Sequence, residues 1–259
     1  MIELYHWEPN MFSLKPLIVL HEKGIPFTSR YTDFGALEPL PDDMAGGMEV
    51  AHNPELDGPV LVADGTPMTE SFFVTLYLDE AYPQKPLRPA DAYGRWRILM
   101  WARFVNEVLE PAVSTLGAKT YFAPALAGRE RHDVEKIIER MPTKEQRDAW
   151  TATLNDSYSD DLLEDSRRKI GVGVKKIETA LTESDWLAGN DYSLADIDAY
   201  AILSPVRDLA PDLLTDAPRT QAWLSRIEAR PAVKAALAAS RTRRPREAFT
   251  PGPEHSRWG

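Results

Sequence analysis

Tyr82-Pro83-Gln84-Lys85-Pro86-Leu87-Arg88-Pro89 places three prolines in eight residues. Proline fixes φ and removes a backbone donor, so neither a helix nor a central strand runs through such a stretch. The chain on each side must build its own secondary structure, and the two sides differ in kind. On the N-terminal side, residues 2–7 roughly alternate and are rich in strand formers. Ser13 then opens a helical pattern with Leu14, Leu17, Ile18 and His21 on one face, and Pro16 is tolerated in the first turn. Gly24 ends that helix, Pro26 bars its continuation, and Phe27 to Thr32 is a second strand. A strand, helix and strand within about thirty residues predict a parallel pair. Residues 35–58 are irregular, with at most one short helix. Val60 to Ala63 is a strand, Asp64-Gly65 a hairpin turn, Pro67 to Thr69 a short antiparallel return, and Ser71 to Tyr82 a helix. Residues 1–85 therefore predict a compact α/β domain.

The C-terminal side predicts helices only. Asp91 is placed to cap a helix rich in large apolar residues: Trp96, Ile98, Leu99, Trp101, Phe104, Val105, Val108 and Leu109. Pro111 should kink or end it. Thr143 to Gln146 and Ser193 to Asp196 have the form of capping boxes, and Asp161 to Leu181 is a long helix. Residues 86–240 thus predict an all-α domain. Residues 241–259, with Arg241, Arg243, Arg244 and Arg246, read as a solvated basic tail.

Composition narrows the chemistry. The 259 residues include no cysteine, which excludes disulfides, thiolate metal sites and a cysteine nucleophile. A net charge of −10, most of it before residue 85, argues against a nucleic-acid partner. No apolar run approaches the ~20 residues of a membrane helix. The N-terminus lacks the pattern of a signal peptide, so a cytoplasmic protein is expected. His6, His21, His52, His132 and His255 are scattered without metal-ligand spacing, so no metal is expected. Gly171-Val172-Gly173 lies within a helical pattern and reads as a close helix contact, not a nucleotide site.

Three features in order carry a resemblance. Ser13 stands at the start of the first helix; Asn53-Pro54-Glu55-Leu56-Asp57-Gly58-Pro59-Val60-Leu61 puts a proline directly before the third strand; Thr69-Glu70-Ser71 opens the next helix. With the all-helical second half, the chain resembles the cytosolic glutathione S-transferases over about residues 1–240. More narrowly, Ser13-Leu14-Lys15-Pro16, Leu87-Arg88-Pro89-Ala90-Asp91, the long insertion through Pro142 and Glu145-Gln146, and Lys169-Ile170-Gly171-Val172-Gly173-Val174 are similar to the bacterial glutathione-dependent β-aryl etherases of lignin catabolism.

The resemblance implies a thioredoxin-like α/β domain followed by an all-α domain, glutathione as cosubstrate, and a homodimer. It implies cleavage of a β-aryl ether beside a ketone, with release of a phenol. The alternatives are a transferase acting on another aromatic electrophile and a non-catalytic member that binds aromatic ligands or a protein. By the same resemblance Ser13 is the hydroxyl donor to the glutathione thiolate, with Asn10 as a second candidate. Taken alone, Ser13 fits a helix N-cap and Asn10 a turn equally well. Glu70 and Ser71 match the pair that holds the γ-glutamyl end, although both also suit a helix start. Pro59 matches the family's cis-proline, which presents backbone to the cysteinyl part. Gly58 departs from the usual β-branched residue there, which predicts a looser loop. His52 is a candidate at the glycine end. The aromatic substrate is expected between Trp7, Met11 and Phe12 on one side and Trp101 and Phe104 on the other, with Tyr121 extending the pocket.

Overall fold

A computed structural model describes residues 1–32, 59–141, 143–250 and 252–253. Among these residues one sheet of four strands runs in the order β2-β1-β3-β4, formed by β1 (Ile2–His6), β2 (Thr28–Tyr31), β3 (Val60–Ala63) and β4 (Thr66–Met68). β1 and β2 are parallel, as expected, with Leu4 opposite Ser29; β1 and β3 are antiparallel, with Leu4 opposite Leu61. Asp64 and Gly65 both take positive φ and close the β3–β4 hairpin.

The helix α1 (Leu14–Lys23) is buried on nearly every side, because it lies between the sheet and the helical domain. It packs on α2 (Ser71–Ala81) within its own domain. Gly24 ends it in the left-handed conformation, with φ 68°. The proline-rich segment is tied down, not free. Asp79 of α2 accepts from Lys23 Nζ at 2.6 Å, the Leu87 N–H at 2.8 Å and Arg88 Nε at 2.8 Å. The Leu87 carbonyl in turn accepts from the Leu194 N–H at 3.0 Å.

The helical domain begins with an unbroken helical run. Asp91 caps α3 (Ala92–Phe104) by accepting from the Gly94 N–H at 2.8 Å. Pro111 does not end the run. A π turn at Val105–Leu109 comes first, in which the Glu110 N–H bonds to the Val105 carbonyl, and α4 (Glu110–Gly117) follows. A wider turn just upstream relieves the clash between a proline ring and the carbonyl four residues back. A second π turn, Ala118–Phe122, precedes Pro124 and leads into α5 (Ala123–Ala127). Then come α6 (Arg131–Arg140), α7 (Lys144–Leu154), α8 (Asp160–Ala180), α9 (Leu194–Leu203), α10 (Val206–Leu209), α11 (Pro218–Glu228) and α12 (Pro231–Leu237). α1 packs against α9 and α12, so the two domains share one core. Gly173 is a close helix contact, as expected: a Cβ there would collide with Leu109.

The capping box at α9 is deeper than its sequence suggests. The buried Asp196 carboxylate accepts from the Ser193 N–H and Oγ, the Leu187 N–H and the Trp223 indole N–H. Burial still raises it to about 6, against the pull of those donors.

The basic tail is a correction. Residues 240–250 and 252–253 do not trail into solvent. They form a strap with a 3₁₀ turn at Pro245–Ala248, and Thr250 is fully buried against Gly117, where a Cβ would strike it. Ser114 Oγ donates to the Gly252 carbonyl at 2.5 Å, and the Met11 N–H donates to the Phe249 carbonyl at 2.9 Å. Arg241, Arg243 and Arg244 are exposed while the backbone beyond them is held, a distinction that charge counting does not capture.

Burial alone would raise the Asp79 carboxyl, but Lys23, the Leu87 N–H and Arg88 hold it below the usual carboxylate value. Its contribution to stability is therefore complete above about pH 4 and is lost as pH falls through the depressed value. Asp79→Asn should lower the melting temperature at pH 7 and flatten the loss of stability below about pH 4, as read by thermal melts across pH. A parallel pH dependence in variant and wild type would contradict this.

Candidate active site

The loop after β1 turns into α1 around Asn10. Its Oδ1 accepts from the Phe12 N–H at 2.9 Å and the Ser13 N–H at 2.8 Å, while its carbonyl accepts from the Leu14 N–H at 2.9 Å. Asn10 thus performs the capping that Ser13 suits by residue type. Ser13 already has helical angles, φ −64° and ψ −28°, and makes no side-chain cap bond. Its Oγ is buried and has no hydrogen-bond partner. An unsatisfied buried hydroxyl costs about 1–3 kcal/mol.

Two residues further on, Lys15 is wholly buried. Its ammonium lies 2.8 Å from Asp198, 3.3 Å from Glu110 and 3.0 Å from Asn106 Oδ1, and Asn106 Nδ2 donates to Asp198 Oδ2 at 2.9 Å. Burial would pull the Lys15 pKa down, but the two carboxylates outweigh it and hold it above the usual lysine value. The first π turn supplies Asn106 to this cluster. One signal was legible: a lysine set among Leu14, Leu17 and Ile18 in an apolar helix needs buried carboxylates somewhere.

Pro59 is buried at the head of β3, while Gly58 and His52 lie outside the described residues. Glu70 takes φ 65° and ψ 97°, a positive-φ position at the start of α2, and its carboxylate does not cap the helix. A non-glycine residue there costs of order 1–3 kcal/mol and is retained where its placement matters. Glu70 and Ser71 are both partly exposed.

The expected aromatic residues divide. Trp7 is partly exposed, whereas Met11 and Phe12 pack into the shared core beside α1. The contacts of Trp101 and Phe104 run elsewhere. The Trp101 indole N–H donates to the Leu187 carbonyl at 2.8 Å, and Lys176 of α8 lies 5.4 Å from the Trp101 ring and 5.1 Å from the Phe104 ring. Those contacts draw both rings toward the helical domain. Tyr121, in the second π turn, lines a cavity that Pro9 and Phe249 also line.

Glu8 is an anchor beside the site with no sequence signal beyond its charge. It is almost fully buried, and its carboxylate accepts from Tyr31 Oη at 2.6 Å, Ser240 Oγ at 2.5 Å, and the Arg241 and Thr242 N–H groups at 3.0 Å each. The Arg241 guanidinium stacks 4.0 Å from the Tyr31 ring. Glu8 thereby anchors the strap to the loop that carries Asn10 and Ser13. At the end of β1, His6 is held below its usual pKa, chiefly by burial. Among the described residues no three His, Asp or Glu side chains form a metal-binding group.

Chemically, the arrangement offers an unpaired hydroxyl in the first turn of a helix, where the backbone dipole favours an anion. It also offers a carboxylate, Glu70, beside the N–H groups that open α2, a pairing suited to an ammonium and a carboxylate on one ligand.

The glutathione S-transferase N-terminal domain family matches residues 11–81, and the C-terminal domain family matches residues 143–231. The chain is 34% identical over 241 residues to protein LigF of Sphingobium sp. strain SYK-6, covering 90% of this chain and 91% of LigF. It is 31% identical over 142 residues to glutathione S-transferase U25 of Arabidopsis thaliana, covering 44% of this chain and 61% of that one. The crystal structure of the β-etherase LigF superimposes with a TM-score of 0.82 at 32% identity, covering 92% of this chain and 99% of that one. Glutathione S-transferase III in its apo form shares the fold, with a TM-score of 0.68 at 21% identity over 93% of this chain and 97% of that one.

Removing the Glu8 carboxylate should free the strap. Glu8→Ala should be cut by trypsin after Arg241 or Arg243 at least about tenfold faster than wild type, equivalent to ~1.4 kcal/mol of local opening. Cleavage at the wild-type rate would show that the strap is held by other contacts.

Proposed function

The chain belongs to the glutathione S-transferase family, with glutathione as cosubstrate, and on that premise we propose that it is a β-etherase. The observation that carries the reading is the likeness to LigF along 90% of the chain. That likeness reaches into the stretch between residues 81 and 143, which the two family domains leave uncovered. When bound, glutathione supplies a thiolate that forms a C–S bond at the carbon beside the ketone, as the C–O bond to the aryloxy group breaks and a phenolate leaves to take up a proton.

A free thiol has a pKa of about 8.5, so holding it ionised at neutral pH by a shift of about two units needs ~2.7 kcal/mol. Ser13 Oγ donates toward the sulfur, and the N-terminus of α1 adds its dipole. Asn10 has a supporting role: its Oδ1 is committed to the Phe12 and Ser13 N–H groups and so fixes the turn, which leaves its amide N–H as the only group it can turn toward a ligand. Ser13 Oγ is also sealed from solvent, so glutathione reaches it by displacing what lies against it. Glu70 meets the α-ammonium of the γ-glutamyl end, and Ser71 with the start of α2 meets its carboxylate. Pro59 orients backbone toward the cysteinyl part; Gly58 and His52 remain candidates beside it. The aromatic substrate lies against Trp7, Met11, Phe12 and Tyr121. Trp101 and Phe104 contribute through the helix they anchor.

Exposed apolar rows support a homodimer. α2 exposes Phe73 and Tyr77 one turn apart, and α3 exposes Tyr93, Trp96 and Met100 at helical spacing, with Tyr93 stacked on Trp96 at 5.4 Å. Rows of large apolar side chains on two helices that the core leaves uncovered suit a self-complementary contact. No helix among the described residues is long and apolar enough to cross a membrane. We place the enzyme in the cytoplasm, where the glutathione pool is reduced.

Incubation with glutathione and a guaiacyl β-aryl ether ketone should release the phenol and yield the glutathione thioether, detected by chromatography. No release from either enantiomer would overturn the etherase reading. In Ser13→Ala the pKa of bound glutathione, followed by thiolate absorbance, should rise by more than about one unit, or ~1.4 kcal/mol. An unchanged titration would move the role to the Asn10 amide or a backbone N–H. Trp96→Asp should shift the sedimenting species from dimer to monomer, and an unshifted dimer would place the interface elsewhere.

A further inference from the structure

The strap is fastened at both ends and in its middle. At the near end the Glu8 carboxylate holds the Ser240 hydroxyl and the Arg241 and Thr242 N–H groups. In the middle the Phe249 carbonyl accepts the Met11 N–H at 2.9 Å. The far end is a shaped seat on the helical domain. Thr250 is fully buried, and a Cβ at Gly117 would lie 2.0 Å from its Oγ1 and 2.4 Å from its Cβ and Cγ2. Gly117 has ordinary helical angles, φ −68° and ψ −41°, so its missing side chain is a matter of space and not of conformation. The Thr250 hydroxyl makes no hydrogen bond, so what the contact supplies is shape: a peg in a notch. Beside it Ser114 Oγ donates to the Gly252 carbonyl at 2.5 Å, and a Cβ at Gly252 would lie 3.0 Å from the Trp150 ring of α7.

The near and middle attachments fall on the β1–α1 loop, on either side of Asn10. Glu8 precedes it and Met11 follows it, and the Asn10 N–H itself donates to the Glu8 carbonyl at 2.6 Å. Asn10 Oδ1 in turn takes the Phe12 and Ser13 N–H groups. The turn that presents Ser13 is therefore held between two points that the strap fixes, and the strap is fixed on α4 and α7. Hydrogen bonds weaken steeply as their distance and angle depart from the optimum. A misplacement of about 1 Å can cost about 10²-fold in rate, so distant anchors of a donor matter to the chemistry.

We propose that Glu8, Ser114, Gly117 and Thr250 are positioning residues for the thiolate: through the strap they hold the Asn10–Ser13 turn where it meets the glutathione sulfur. The inference rests on the reading that this turn carries the donor to the sulfur. A change at the seat on α4, which follows the loop by more than a hundred residues in sequence, is then felt at the bound thiol. The sign of the effect at Glu8 separates position from charge. Removing a carboxylate beside the loop would by charge alone favour a nearby anion and lower the thiol pKa, whereas loosening the turn raises it.

The test is a titration of glutathione bound to the full chain, followed by thiolate absorbance, in variants at the two ends of the strap. Gly117→Ala drives a methyl group into Thr250, and Ser114→Ala removes the bond to the Gly252 carbonyl; neither changes a charge. Each should raise the pKa of the bound thiol by at least about half a unit, a threefold weaker acid, while circular dichroism matches the wild type. If Gly117→Ala does not fold, the milder Ser114→Ala carries the test. Glu8→Gln should also raise the pKa. Where Ser13→Ala itself raises it, adding Gly117→Ala should bring no further rise, because both act on one hydrogen bond. An unshifted pKa in the α4 variants, a fall in Glu8→Gln, or shifts that add in full to that of Ser13→Ala would overturn the proposal. A rise in the α4 variants with none in Ser13→Ala would refute only the assignment of Ser13 as donor, and leave the strap positioning another donor of the same turn.

Discussion

A buried ammonium holds this molecule in register. Lys15 has no route to solvent, and the cost of stranding its charge is several kilocalories per mole, so the folded state must bring carboxylates to it. Asp198 and Glu110 come from the helical domain, and Asn106 closes the network between them. Such a cluster is a poor source of net stability, because desolvation consumes most of the attraction. Its consequence is geometric. α1 can dock in only one rotation and at one height, and Ser13 and Asn10 sit one turn above the lysine. The network around one side chain therefore ties the start of α1, with Ser13, to the second domain.

Two further carboxylates repeat this logic at other seams. Asp79 binds Lys23, Arg88 and the Leu87 N–H, which converts a proline-rich connector into a fixed joint. Glu8 gathers the backbone of residues 241 and 242 with two hydroxyls and lays the C-terminal strap over the β1–α1 loop. The excess negative charge of the first domain is thus partly structural. Asp79 and Glu8, engaged by Lys23 and the strap, are neutralised locally, and the local fields at the starts of α1 and α2 favour an anionic peptide.

The element pattern was legible in the sequence wherever a local rule decides structure. Asp64-Gly65 closes a hairpin, Gly24 ends a helix, and Asp91 and Ser193 cap helices, because each depends on a few neighbouring backbone groups. Misreadings arose where distant partners decide. Ser13 suits a cap by residue type, yet Asn10, three residues earlier, reaches the N–H groups first. Pro111 breaks a helix by local rule, yet a π turn lets the run continue because the core on both sides keeps it helical. The arginines of 241–246 suggest a solvated tail, and only the fold brings Glu8 beneath them. Trp101 and Phe104 also carry a lysine of α8 against their rings, a partner more than seventy residues away in sequence.

Ser13 Oγ is buried, bonds to no group among the described residues, and stands at a helix start that Asn10 and Lys15 hold in place. The most direct measurement is a crystal structure of the full chain with glutathione bound. The account predicts the cysteinyl sulfur within about 3.5 Å of Ser13 Oγ, with Glu70 on the ammonium and Ser71 on the γ-glutamyl carboxylate. A sulfur bound beyond hydrogen-bond reach of Ser13, with that hydroxyl still unpaired, would contradict it.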